Sequence, residues 1–280
     1  MSAHKRRRRV VDSDSDDEEG VGTSASAALP VEKFGALDQL IQSCDATGPS
    51  RLVSLDKKTG KLLWETKRDD KPRGGWSTPI LIKTKKGEQL VLNGEFGAKG
   101  YDPLKGNELW FCQSFNGRGS PVPFHAHGLV YVVNGKPGDL YVINPNGAKG
   151  NVTETHMAWH AKRSGGRDLP SPSVISDYAL VTAMGGVITC YDAKSGKTHW
   201  VDRLDGAFSG SPLIANGLYY LQNEAGVTYV VRPNKKSLEI VSRNDLGAKD
   251  GEIFRATLSP IDGKVYTRSQ SILYCLKGEG

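Results

Sequence analysis

The sequence lacks the means to build a disulfide scaffold, a membrane helix or a fibre. Four cysteines stand in 280 residues, at 44, 112, 190 and 275, too few and too scattered for a disulfide framework. No run of 18 apolar residues occurs, so no transmembrane helix is expected. The glycines have no three-residue period, which excludes collagen. A P-loop, a dinucleotide fingerprint and a Gly-x-Ser-x-Gly elbow are also missing. What is abundant is glycine, with 33 residues, beside many Val, Ile, Tyr and Thr. That mixture predicts many short strands joined by tight turns.

The net charge of +6 is unevenly distributed. Residues 5–9 read Lys-Arg-Arg-Arg-Arg, and Asp12, Asp14, Asp16, Asp17, Glu18 and Glu19 follow directly. These nearly cancel, so the basic excess belongs to the rest of the chain. Residues 1–36 have too little apolar surface to offset their ordering entropy and are expected to form a disordered charged tail. The basic run fits a nuclear localisation signal or a solvated polyampholyte. No apolar stretch follows it, so it does not read as a secretory signal. The neighbouring acids offset its field, which argues against a nucleic-acid arm.

Residues 37–280 are expected to be one all-β domain built on a repeat. A short strand ends in Asp or Asn, a turn with Gly follows, and a Trp closes the unit. Asp56, Gly60 and Trp64 form one copy; Asp102, Gly106 and Trp110 form the second. Asn144, Gly147 and a delayed Trp159 make the third, and Asp192, Gly196 and Trp200 the fourth. Equivalent positions 56, 102, 144, 192, 232 and 277 are separated by 46, 42, 48, 40 and 45 residues. A second marker, a small residue before Pro and a strand, keeps the same beat at Pro79, Pro121, Pro172, Pro212 and Pro260. Pro lacks a donor and suits a strand start. Asn216-Gly217 and Asp262-Gly263 are hairpin turns. Four strands in about 44 residues make a propeller blade. Four whole and two partial units of four-stranded antiparallel blades are predicted. The two partial units either pair to close a five-bladed ring or leave an open arc.

These residues resemble the PQQ-like repeat family of β-propellers, which includes quinoprotein alcohol dehydrogenases and the envelope-assembly lipoprotein BamB. The likeness covers about residues 38–280. It implies that Trp64, Trp110, Trp200 and the irregular Trp159 dock against the turn of a neighbouring blade. For the dehydrogenases it also implies bound PQQ, a covering pair of adjacent cysteines, and a calcium held by Glu and Asn with an Asp base. No Cys-Cys pair exists here, so no cofactor is expected. Most family members work in the bacterial envelope.

The expected function is a non-catalytic binding or scaffold module for protein partners. The alternatives are a PQQ-binding oxidoreductase and a nuclear interaction protein directed by its tail. Function on a propeller sits in its loops. Trp76, Phe208 and Phe254 precede their strand prolines at comparable distances, and Arg118, Arg167 and Arg255 lie in the same zone. This aromatic and arginine set is the expected recognition surface. His125 and His127 would share one face of a strand and form a weak metal pair. Clustered lysines such as Lys57/Lys58, Lys85/Lys86 and Lys235/Lys236 read either as a solvated surface or as a face for an acidic partner.

Overall fold

A computed structural model describes residues 38–68, 75–114, 119–133, 138–163, 169–249 and 251–277. The tail and its basic cluster lie outside the described residues. Every regular element described is a strand, and no helix long and apolar enough to cross a membrane occurs among the described residues.

Six antiparallel sheets follow one another along the chain. The first holds β1 (Gln39–Cys44), β2 (Ser50–Asp56) and β3 (Leu62–Arg68). The second holds β4 (Ile80–Thr84), β5 (Gly87–Asn93), β6 (Gly97–Tyr101) and β7 (Glu108–Gln113). The third is β8 (Phe124–Ala126), β9 (Leu129–Val133), β10 (Leu140–Ile143) and β12 (Met157–Ala161). Between its last two strands, β11 (Gly150–Asn151) leaves the sheet and pairs in parallel with β7, so the second sheet gains a fifth strand. The fourth is β13 (Ser173–Ile175), β14 (Tyr178–Thr182), β15 (Val187–Asp192) and β16 (Thr198–Arg203). The fifth is β17 (Leu213–Ala215), β18 (Leu218–Gln222), β19 (Val227–Val231) and β20 (Ile240–Asp245). The sixth is β21 (Ser259–Ile261), β22 (Lys264–Arg268) and β23 (Leu273–Lys277).

This is the predicted series of four whole and two partial blades. Among the described residues the first blade lacks an innermost strand and the sixth an outermost one. The two partial units do not pair: each remains a separate three-stranded sheet among the described residues. The five-bladed closure is therefore corrected. Strand pairing needs one open edge from each unit in register, and the edges they offer belong to opposite ends of a blade.

The core lies between blades, not within them. Leu52, Leu90, Leu92 and Tyr101 cluster at the first junction. Ile82, Val91, Trp110, Val130, Ile143 and Val152 fill the second. Tyr131, Val142, Val174, Val181 and Tyr191 fill the third, and Trp200, Phe208, Tyr219, Leu221 and Tyr229 the fourth. Middle strands touch a neighbour on both faces, so β10 and β19 are buried at every position. That explains why they read as continuous apolar runs. Outer strands such as β16 are largely exposed.

A two-residue hairpin joins the first two described strands of each of the second to sixth blades. Asn216 (φ 50°), Asp262 (φ 47°), Ser176 (φ 51°) and His127 (φ 52°) all adopt the left-handed conformation there. Asn, Asp and His are enriched in that region; Ser adopts it less readily.

Candidate functional site

Antiparallel blades have two ends. At one end lie the first hairpin and the Asp–Gly turn between the last two strands; we call this the turn face. At the other lie the turn between the two middle strands and the loop that enters the next blade; we call this the loop face.

The turn face is held together by the repeat residues. Asp56 Oδ1 accepts from the Lys58 and Thr59 amides and the Thr59 hydroxyl, while Gly60 N donates to Asp56 O. Asp192 repeats this with Lys194, Ser195 and Gly196. The Asp102 turn keeps the amide bonds from Leu104 and Lys105. These bonds hold the Asp56 and Asp192 carboxyls below the usual range: the Thr59 hydroxyl leads at Asp56, the Ser195 amide at Asp192. Tryptophans then lock blade to blade. Trp64 covers Gly106, and a Cβ there would collide with the indole. Trp159 covers Gly196 and donates to Ala193 O at 3.2 Å. Trp200 donates to Asn234 O at 2.8 Å.

The third unit departs from this scheme. Asn144 and Gly147 were expected to form its turn against Trp110. Gly147 has nothing within 4 Å of where a Cβ would sit, so no indole covers it. Trp110 instead lies flat on Gly100 of its own blade and donates to Gln89 Oε1 at 2.9 Å. The equivalent strand neighbours of the other tryptophans are Ser54, Val142 and Cys190, whose side chains deny the indole that seat. The closing turn has moved to Asn151, whose Oδ1 accepts from the Thr153 amide and hydroxyl. Val152, not Gly147, packs with Trp110.

The loop face carries the expected recognition residues, and the structure divides them. Phe208 and Phe254 are buried. Phe208 N donates to Met184 O and Phe254 N to Glu224 O, each at 2.9 Å, so both rings plug a blade junction. Their place in the surface set is corrected, because the backbone bond aims each ring inward. Trp76 is 52% exposed and Arg255 is exposed, its Nε 3.4 Å from Glu224 Oε1. Arg118 and Arg167 lie outside the described residues. A pocket of about 380 Å³ beside Arg255 is lined by Ile253, Arg268, Ser269 and Gln270.

Two features here escaped the sequence reading. An arginine follows three of the four blade-ending tryptophans, Trp64, Trp159 and Trp200, by three or four positions. Arg68 pairs with Asp45 (Nε–Oδ1 2.7 Å) in full burial and donates to the Tyr101 hydroxyl. Arg163 donates to Gly138 O and Arg203 to Gly185 O. The Trp-to-Arg spacing was visible in the sequence. The second feature is a belt of hydroxyls at the strand-start marker. Ser77 Oγ donates to Pro121 O, Val122 N to Ser171 Oγ, Ser171 N to Ser211 Oγ, and Ser211 N to Thr257 Oγ1. Ser171 and Ser211, directly before Pro, and Ser77 and Thr257, two and three residues before it, thus tie the start of one blade to the next.

The metal pair is also corrected. His127 occupies a left-handed hairpin position and its Nε2 meets Ser176 O at 2.7 Å, whereas His125 lies within β8 with its Nε2 buried. Burial holds His125 below the usual imidazole range. The turn breaks the alternation that would have put both rings on one face. No group of three His, Cys, Asp or Glu able to hold a metal occurs among the described residues. The cysteines are free and stand in four different blades; burial pushes Cys112 up to about 11 and Cys190 to about 12.

Fold and junctions together define a β-propeller repeat protein. The chain belongs to the PQQ-like repeat family whose model is described as "Outer membrane protein assembly factor BamB"; the model matches residues 50–175 and 138–272. The structure is similar to BamB from Moraxella catarrhalis, with a TM-score of 0.62 and 14% identity, over 86% of this chain and 67% of that one. It is similar too to the C-terminal WD40 domain of Sif2, with a TM-score of 0.66 and 11% identity, over 87% and 67%. A quinoprotein ethanol dehydrogenase from Pseudomonas putida is 35% identical over 99 residues, which is 30% of this chain and 14% of that protein. The chain thus spans about a seventh of that enzyme.

Proposed function

We propose that this chain is a non-catalytic β-propeller that binds protein partners on its loop face, with Trp76 and Arg255 as contact residues. One observation carries the reading: Trp64, Trp110, Trp159 and Trp200 are drawn into blade junctions, while Trp76 stands half in solvent. Exposed Trp and Arg are the side chains most enriched among residues that dominate binding energy. The family's described role as an assembly factor, which handles other proteins, supports the same reading.

The matches to quinone-dependent dehydrogenases favour a second, oxidoreductase reading. The described residues do not fit PQQ: no two cysteines are adjacent, and no acidic or histidine group gathers to hold a calcium. The nuclear reading rests on the tail, which lies outside the described residues.

The test is to select peptide ligands against the wild-type protein by display and measure them by calorimetry on Trp76→Ala and Arg255→Ala. Loss of a hot-spot side chain weakens binding about thirtyfold. Ligands that bind both variants as tightly as the wild type would place the contact elsewhere.

A further inference from the structure

The turn face separates the two kinds of basic residue. Among the described lysines, only Lys67, Lys99, Lys162 and Lys249 lie away from it. Among the described arginines, only Arg232 lies on it, and its guanidinium is held by Glu239 at 2.6 Å. The lysines sit in the turns themselves: Lys58 and Lys105 between the outer strands, Lys85 and Lys86 in a hairpin, Lys235 and Lys236 in the fifth blade. All six are exposed. Contacts across the junctions show that these turns form one continuous face. Thr66 Oγ1 donates to Gly106 O, Lys85 N to Asn146 Oδ1, and Trp200 Nε1 to Asn234 O.

The same rim carries exposed aliphatic side chains. Leu62, Leu104, Ile240 and Ile261 all stand at strand ends or turns on this side. Leu104 takes the turn position that Lys58 and Lys194 hold in other blades, and it is 62% exposed. It borders a cleft of about 660 Å³ with Lys86 and Lys149.

From this arrangement we infer that the turn face docks on an anionic lipid surface. Compact lysine charges attract a diffuse layer of negative headgroups, each lysine near the surface adding about fivefold to the partition. The aliphatic tips enter the boundary beneath the headgroups. A nucleic acid would call for arginine forks or exposed aromatic platforms; Arg232 is held by Glu239, and the other described arginines and Trp76 lie away from this face. The loop face stays free to hold a protein partner.

Flotation with vesicles of phosphatidylcholine, with and without phosphatidylglycerol, tests the inference. The intact chain should float with anionic vesicles, float poorly with neutral ones, and release as salt rises. The variant Lys85→Gln/Lys86→Gln/Lys235→Gln/Lys236→Gln should lose roughly several hundredfold in partition. Leu104→Ser should weaken binding without altering its salt dependence. All five side chains are exposed, so unchanged thermal melting will show the variants folded. Equal partition of the lysine variant and the wild type, or equal binding to neutral vesicles, would overturn the inference. So would tighter binding to a duplex or single-stranded oligonucleotide than to anionic vesicles in the same buffer.

Discussion

The docking of a tryptophan on the next blade's turn can be weighed by one glycine substitution. Gly196 has φ +73°, and a Cβ there would lie 2.5 Å from Trp159 Cε3. Gly196→Ala therefore meets two penalties. Left-handed backbone costs an L-residue about 1–2 kcal/mol. Forcing the indole aside adds about 1–3 kcal/mol of overpacking. Gly60 is the internal control. It closes the same turn with the same hydrogen bonds and has φ +69°, but nothing lies within 4 Å of its would-be Cβ. Gly60→Ala should cost only the backbone share. Urea unfolding of both variants reads the difference, with equal m-values required for the comparison. In the Trp159→Ala background the extra cost at Gly196 should vanish. If Gly60→Ala and Gly196→Ala cost the same, or if the excess at Gly196 survives removal of Trp159, the docking account is wrong.

Three further outcomes follow from the junctions and buried groups. Arg68→Met leaves Asp45 charged and buried, so it should destabilise by about 3–5 kcal/mol, measured by urea titration, whereas Arg51→Met at an exposed pair should change little. Ellman's reagent should label Cys275 at once in the native protein, and Cys112 and Cys190 only after unfolding, because burial keeps both thiols protonated. Asp192 has a lowered folded pKa, so its turn is stabilised above the ordinary value of 3.8 and loses that support as pH falls through the folded value. Carboxyl NMR titration should place the wild-type Asp192 midpoint below 3.8, a step that Asp192→Asn lacks, while the stability difference between the two should be small since the group is solvent-screened.

The fold was legible because its signals are local. Asp56, Gly60 and Trp64 state one turn and one outer strand without reference to the rest of the chain. The partial first and last units could likewise be counted from Pro and Trp markers. The site was less legible because burial depends on what a loop meets. Trp76, Phe208 and Phe254 are alike at the level of spacing, yet two of them donate backbone bonds to a neighbouring turn and turn inward. The third unit misled for a different reason. An insertion reaching Asn151 carries its own hydroxyl-capped turn, while the shorter Asn144–Gly147 segment forms an Asn-capped turn that no indole covers. The Trp-to-Arg interval was readable in three of the four Trp units, Trp110 being the exception, but its meaning needed the carbonyls of Gly138 and Gly185 to be placed.

The separation of lysine and arginine follows from what each face must satisfy. On the loop face the middle turns present carbonyls and carboxylates to the ends of the outer strands. A rigid guanidinium can reach Gly138 O, Gly185 O or the Asp45 carboxylate while its remaining donors find other acceptors. On the turn face the equivalent acceptors are already used. Asp56 O accepts from Gly60 N, Asp102 O from Gly106 N, and Asp192 O from Gly196 N, while the side chains of those aspartates accept within their own turns. A basic side chain there has few acceptors left to order it, and a flexible, strongly hydrated lysine is the suitable residue. Lys194 still meets Asp177 Oδ1 at 3.0 Å, but lysines such as Lys58, Lys85 and Lys86 face outward, available to a surface rather than to the protein. Arginine on the loop face ties the outer strand of a blade to that blade's own middle turn, and Arg68 also reaches Tyr101 of the next blade; lysine on the turn face makes no such tie. Arg203→Lys should therefore lower the melting temperature by loosening the Gly185 contact, whereas Lys85→Arg, facing solvent, should leave it unchanged.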